Sequence, residues 1–156
     1  MQDPVIWALA LNSETARILP GLHRTGHLDA PEIAMHIDHQ RLQDLMADKP
    51  GRAFESVGGR RSAMEYASDP VRDLHRAFLH SVLERLQKAR HEAAFDQLAI
   101  FASRPMLGMF RQEAPPEIAA LVVREVDKNL LHLSPQTLAR TVAQTLFERP
   151  DGAPSA

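Results

Sequence analysis

The chain reads as a single α/β domain built on a five-stranded mixed sheet. Three observations lead there. Short apolar runs at 5–11, 15–19 and 32–38 follow one another with only tight turns between them. Two further runs of strand character, at 95–102 and 122–126, alternate with stretches of helical period. The length, 156 residues, suits one domain and leaves little room for a second.

Val5 to Leu11 (VIWALAL) is continuously apolar, as a central strand buried on both faces must be. Asn12-Ser13-Glu14 supplies the turn, and Thr15 to Leu19 returns as the second arm of a hairpin that Pro20-Gly21 ends. After a turn over Gly26 to Pro31, Glu32 to Asp38 reads as a third strand, with Ile33, Met35 and Ile37 on one face at period two. Arg41 to Met46 can form a short helix. Asp48 to Asp69 has no sustained period and holds Pro50, Gly51, Gly58 and Gly59. An irregular stretch of that length is uncommon in a compact domain, and it predicts extended or mobile chain outside the sheet.

From Pro70 to Glu92 the residues Val71, Leu74, Phe78, Val82, Leu86 and Ala89 recur at three- and four-residue steps. Asp69 is placed to cap this helix, the longest, with Pro70 in its first turn. Phe78 and Leu86 are expected in the core. Phe95 to Ala102 is a buried strand, and Pro105 to Glu113 a short helix that Pro115-Pro116 breaks. Glu117 to Leu121 adds a turn of helix before the last strand, Val122 to Val126. Ser134 caps a final helix through Phe147, with Leu138, Val142 and Leu146 inward. The domain thus spans 1–149, and 150–156 reads as a frayed, disordered tail. The order β-β-β-α-β-α-β-α is that of a ribonuclease-H-like mixed sheet. Trp7, Phe101 and Phe110 are expected to pack the core.

Composition excludes several classes. Apolar residues at 44% and charged residues at 24% are ordinary for a globular domain. A formal net charge of −2 means that any contact with nucleic acid must come from a local basic patch. With no cysteine, disulfides, thiolate-bound zinc and thiol nucleophiles are excluded. The start Met1-Gln2-Asp3-Pro4 lacks a basic leader, and no apolar run is long enough to span a bilayer, so a cytosolic location without membrane contact is expected.

The irregular segment carries the bases Lys49, Arg52, Arg60 and Arg61 and the acids Asp48 and Glu55. Glycines let a backbone approach an anion closely, and guanidinium forks match phosphate. Lys49, Arg52, Gly58, Gly59, Arg60 and Arg61 are therefore candidate contacts for phosphate or an RNA backbone. Asp48, Arg104, Arg111 and Lys128 are secondary candidates. The competing reading is a solvated loop in which Asp48 pairs with Arg52.

Asp48-Lys49-Pro50-Gly51-Arg52-Ala53-Phe54-Glu55-Ser56 resembles the D-[RK]-P-G-R-x-F-[DE]-S stretch of the bacterial host-attachment family. Gly58-Gly59-Arg60-Arg61-Ser62-Ala63-Met64-Glu65 stands where that family has G-x-x-R-H-A-M-E. Arg104 to Arg111 resembles its P-[RK]-x-L-G-x-L-R segment, and Val126-Asp127-Lys128-Asn129-Leu130 its D-K-D-L segment. The pieces keep the family's order over nearly the whole chain. Asn12 and Asn129 depart from it, each standing where an Asp is usual. The run from Gly58 to Ala67 is also similar to the G-G-Q-S-A-x-R-F-A turn in the middle domain of archaeal and eukaryotic class-I release factors, which precedes a long helix on a ribonuclease-H-like sheet. The glutamine that orients water there is absent: Arg60 takes its place, and Arg61 is an extra residue.

That departure argues against peptidyl-tRNA hydrolysis. A ribonuclease-H-type nuclease needs clustered acids for two metal ions. The first strand has none, and Asp38 and Asp127 lack an obvious third partner; Asp127 is expected to pair with Lys128 or to cap a turn. His36 and His39, read as strand neighbours, fall on opposite faces, and His75 and His80 lie about 140° apart on a helix, so neither pair suggests a metal site. No cofactor motif is present, and aromatics at 5% offer no stacking platform for bases. The expected function is a non-catalytic cytosolic binding module of the host-attachment family that contacts RNA or the ribosome through the arginine loop. The alternative is a protein-interaction or signalling module that promotes attachment indirectly.

Overall fold

The computed structural model describes residues 3–48 and 69–148. The expectations for the segment 49–68 and for the tail from 149 lie outside the described residues.

Five strands form one mixed sheet in the order β3-β2-β1-β4-β5. They are β1 (Ile6–Leu11), β2 (Thr15–Leu19), β3 (Ile33–His36), β4 (Gln97–Ala102) and β5 (Val122–Asp127). The first three make an antiparallel meander, while β1–β4 and β4–β5 pair in parallel. The helices are α1 (His39–Ala47), α2 (Pro70–His91), α3 (Arg104–Glu113), α4 (Pro116–Ala119) and α5 (Pro135–Phe147). Each expected strand is present, and Phe78 and Leu86 are buried.

Side chains alternate across β1 in size as well as direction. Trp7, Leu9 and Leu11 join the core under α2, with Ile18, Leu98, Ile100 and Phe110. Ala8 and Ala10 face the other side, where Leu138, Ala139, Val142 and Ala143 of α5 close over them together with Phe101. Small residues there let α5 sit close to the sheet. Trp7 stacks on Phe95 at 4.9 Å between ring centroids. Phe95 is fully buried but lies ahead of β4, whose entry is pinned where Asp96 takes a hydrogen bond from Val5 N–H at 2.8 Å and returns one to Val5 O.

α2 and α3 lie on the same face because both parallel connections step in the same direction across the sheet, and their handedness is fixed. α5 follows β5, leads into no further described strand, and packs on the opposite face. Most helix starts follow from their caps. Asp69 accepts from the N–H groups of Val71 and Arg72, and Ser134 from that of Thr137. Three starts differ from expectation, and one of them is α4, which opens at Pro116 rather than Glu117 because a proline fits the first turn of a helix. Asp38 caps α1 by accepting from Arg41 N–H, so the strand stops at His36 and the helix begins at His39. Ser103 caps α3, which opens at Arg104 rather than Pro105. The short strand also corrects the placing of His36 and His39 on opposite faces. The chain turns at Ile37-Asp38, and their rings lie 6.2 Å apart.

Arg17 is the buried charge of the described core. Its Nε and Nη2 donate to the two carboxylate oxygens of Glu32, and Nη1 donates to Leu131 O and Leu133 O at 3.0 and 2.6 Å. One guanidinium thus ties β2, the entry to β3 and the connection into α5. Replacing Arg17 with Met should cost about 3 kcal/mol in urea unfolding, because Glu32 and two carbonyls lose their partner. Arg17→Met/Glu32→Leu should recover part of that loss, and equal stability of wild type and Arg17→Met would show that the network contributes nothing.

Candidate functional site

Open α/β sheets receive ligands beyond the carboxyl ends of their parallel strands. Here β1, β4 and β5 end at Leu11, Ala102 and Asp127, and β3, parallel to β1 through two antiparallel steps, ends on the same side. Ile37 N–H donates to Glu14 O across this end. Four helices, α1, α2, α3 and α5, start here, and their N-termini face outward with partial positive charge.

Most polar side chains at this end are engaged with backbone or with a neighbouring side chain. Asn12 Oδ1 accepts from Glu14 N–H and Thr15 N–H and so builds the β1–β2 turn. Asp38 and Asp69 are spent on helix caps, where their carboxylates also complement the helix dipoles. Asp127, expected to pair with Lys128 or to cap a turn, instead accepts from Arg104 Nε at 3.2 Å, because the α3 start brings Arg104 alongside the end of β5. His75 Nε2 is buried without a hydrogen-bond partner and lies 3.8 Å from Glu14 Oε2. Among the described residues no group of three or more His, Asp or Glu side chains converges on a metal position.

Lys49, Arg52, Gly58, Gly59, Arg60 and Arg61 lie outside the described residues. Their segment leaves from Asp48, the C-cap of α1, and re-enters at Asp69, the cap of α2 at the carboxyl end of the sheet. Of the secondary candidates, Arg104 and Lys128 sit together at that end. Arg111 does not join them. It lies two turns further along α3, where Nε donates to both carboxylate oxygens of Glu125 at 3.0 and 3.1 Å. That hydrogen bonding, and then the Glu125 charge, raises the Arg111 pKa further, so the side chain stays cationic. The face formed by α3 and β5 therefore carries matched pairs rather than bare cations.

The opposite end of the sheet holds a feature that the sequence reading did not single out. A cleft of about 750 Å³ is lined by Val5, Ile6, Leu22 and Phe147 below and by His23, Arg24, His27 and Asp29 above. Pro20 to Asp29 forms a small closed loop: Leu22 bridges Leu28, His23 N–H donates to His27 O at 2.9 Å, and Asp29 N–H donates to Pro20 O. Gly21 is in the left-handed region (φ 64°), and a Cβ there would fall 2.2 Å from Asp29 Oδ2. That close approach sets the Asp29 carboxylate against His23, whose Nε2 lies 2.7 Å from Asp29 Oδ1. The signal in the sequence was Pro20-Gly21 with two histidines four apart around Gly26, and the turn reading absorbed it.

The exposed pairs predict a null effect on folding. Glu125→Gln/Asp127→Asn should leave the melting temperature within a degree or two of wild type, since solvated ion pairs contribute little. A large drop would mean that the α3–β5 packing depends on them.

No helix among the described residues is long and apolar enough to cross a membrane. No curated protein matches the chain. A family model does, over residues 7–142. The match covers all five strands except the first residue of β1, and it runs into α5. The chain therefore belongs to the family described as "Protein required for attachment to host cells", whose name points to a role in host attachment.

Proposed function

We propose that this chain is a non-catalytic cytosolic binding module that contacts RNA or the ribosome through Lys49, Arg52, Gly58, Gly59, Arg60 and Arg61. The observation that supports the reading most is positional. The glycine- and arginine-bearing segment immediately precedes α2, the longest described helix, and leads into it at the carboxyl end of a β3-β2-β1-β4-β5 sheet with an antiparallel β2. A ribonuclease-H-like sheet has that strand order, and in the release-factor middle domain a Gly-Gly-Gln turn stands at the corresponding place before a long helix. Arg104 and Lys128 lie at the same end and would extend a basic surface. With Arg60 in place of the glutamine and no acid on β1, the module binds rather than hydrolyses. Attachment to host cells is then an indirect consequence.

A second reading has its own support. The cations Arg104 and Arg111 are paired with Asp127 and Glu125, which leaves the described surface less basic than the sequence suggested. Matched charges of this kind suit a protein partner, and the chain would then be an interaction or signalling module.

Co-sedimentation with ribosomes at two salt concentrations separates the two. The Arg52→Ala/Arg60→Ala/Arg61→Ala variant should remain folded and lose association. The salt dependence should flatten by about one counterion per contact removed. Wild-type protein that never binds, or a variant that binds undiminished, would transfer the function to the protein partner.

A further inference from the structure

We propose that His23 and His27 form a two-imidazole site for a divalent transition-metal ion at the mouth of the amino-end cleft, with Asp29 standing behind His23 as its orienting partner. This site uses none of the residues of the arginine segment and does not depend on RNA binding.

The geometry of the two rings carries the inference. Their centroids are 5.4 Å apart and their planes are inclined by 37°. A histidine nitrogen binds zinc at roughly 2.05 Å, which puts the ring centroid about 3.2 Å from the ion; two such rings at a tetrahedral angle then lie about 5.2 Å apart. The observed separation corresponds to an angle of about 115° at the ion. The other histidine pair, His36 and His39 at 6.2 Å, would need about 150°, which a tetrahedral ion does not offer.

The second support is Asp29. A metal-bound histidine ordinarily gives its other ring N–H to a carboxylate, which fixes the tautomer and raises ligand basicity. His23 Nε2 already lies 2.7 Å from Asp29 Oδ1, so its Nδ1 is left as the lone-pair donor. Asp29 is itself held: its backbone N–H donates to Pro20 O, and its side chain packs against the bare Cα of Gly21. This arrangement also explains why no three-ligand set converges. The carboxylate serves the imidazole rather than the ion.

The hairpin is closed by its own backbone hydrogen bonds, so both rings project from a preformed frame. Charge is complementary as well. Asp3 and Asp29 outnumber Arg24 in the lining, and the Arg24 guanidinium is turned onto the Phe147 ring, 5.2 Å from its centroid. Neutral imidazoles select borderline metals such as zinc, nickel and copper over magnesium or calcium. Water, or an oxygen of a small molecule in the cleft, completes the coordination.

The test is a calorimetric titration of the full chain, free of any histidine tag, with Zn²⁺ in the presence of excess Mg²⁺. One ion should bind per chain, and the imidazole nitrogens of His23 and His27, alone among the eight histidines, should shift in ¹⁵N spectra. His23→Gln and His27→Gln should each abolish that binding while circular dichroism stays unchanged. Asp29→Asn should weaken it by about tenfold or more, the usual effect of losing an outer partner. His36→Ala/His39→Ala should bind as wild type does. Binding that survives in His23→Gln/His27→Gln, that is lost in His36→Ala/His39→Ala, or that Mg²⁺ displaces would overturn the proposal, as would a wild-type chain that takes up no Zn²⁺. None of these results bears on ribosome association, so the two readings fail separately.

Discussion

Burial of β1 on both faces is the constraint from which the rest of the molecule follows. A strand covered on each side has little room for a charged side chain, and Ile6 to Leu11 carries none. Its backbone groups must then be paired along both edges, which requires a neighbour on each side. The antiparallel β2 fills one edge and the parallel β4 the other. The parallel neighbour demands a crossover, and α2 supplies it on the face of Trp7, Leu9 and Leu11. The remaining face, reduced to Ala8 and Ala10, is open until α5 arrives from the end of the chain. Arg17 then fastens that late arrival to the meander across more than a hundred residues of sequence.

Most of this was legible because it rests on periodicity and on caps, both local properties. The period of Phe78, Val82 and Leu86 placed α2, and Asp69 and Ser134 placed two helix starts to the residue. Errors arose where a short polar side chain decided between continuing a strand and opening a helix. Asp38 does the second, which shortens β3, lengthens α1 and turns His36 toward His39. The pairing of Asp127 with Arg104 was illegible for a different reason: their separation of 23 residues is bridged only when β4, α3 and β5 pack. The same holds for Arg17, whose partners lie 15, 114 and 116 residues away. The His23–Asp29 contact is local in sequence, yet it depends on the backbone conformation at Gly21, which no period reports.

The two ends of the sheet differ in how much polar capacity they leave over. At the carboxyl end four helix dipoles converge, and the chain answers two of them with its own carboxylates, Asp38 and Asp69, and the others with the hydroxyls of Ser103 and Ser134. The acids and amides there bond to neighbouring backbone or, for Asp127, to Arg104, while His75 Nε2 is left without a hydrogen-bond partner. At the amino end the last turn of α5 arrives instead, with Arg24 Nη1 donating to Phe147 O at 3.4 Å, and the β2–β3 connection builds outward beside it.

That freedom has a physical signature in the loop from Pro20 to Asp29. A connection that only joined β2 to β3 could be a two-residue turn, since the strands are adjacent and antiparallel. This one is longer, bridges Leu22 to Leu28, and holds Gly21 at a positive φ that an L side chain resists. It ends with an exposed carboxylate held against an imidazole. Burying Leu22 fixes the base of the loop to the α5 side of the core, while His23, one residue on, stays half exposed over the cleft. Such a frame orders side chains that contribute little to the hydrophobic core. Its backbone hydrogen bonds bear the conformational cost of holding two histidines at one mouth, with their ring centroids 5.4 Å apart.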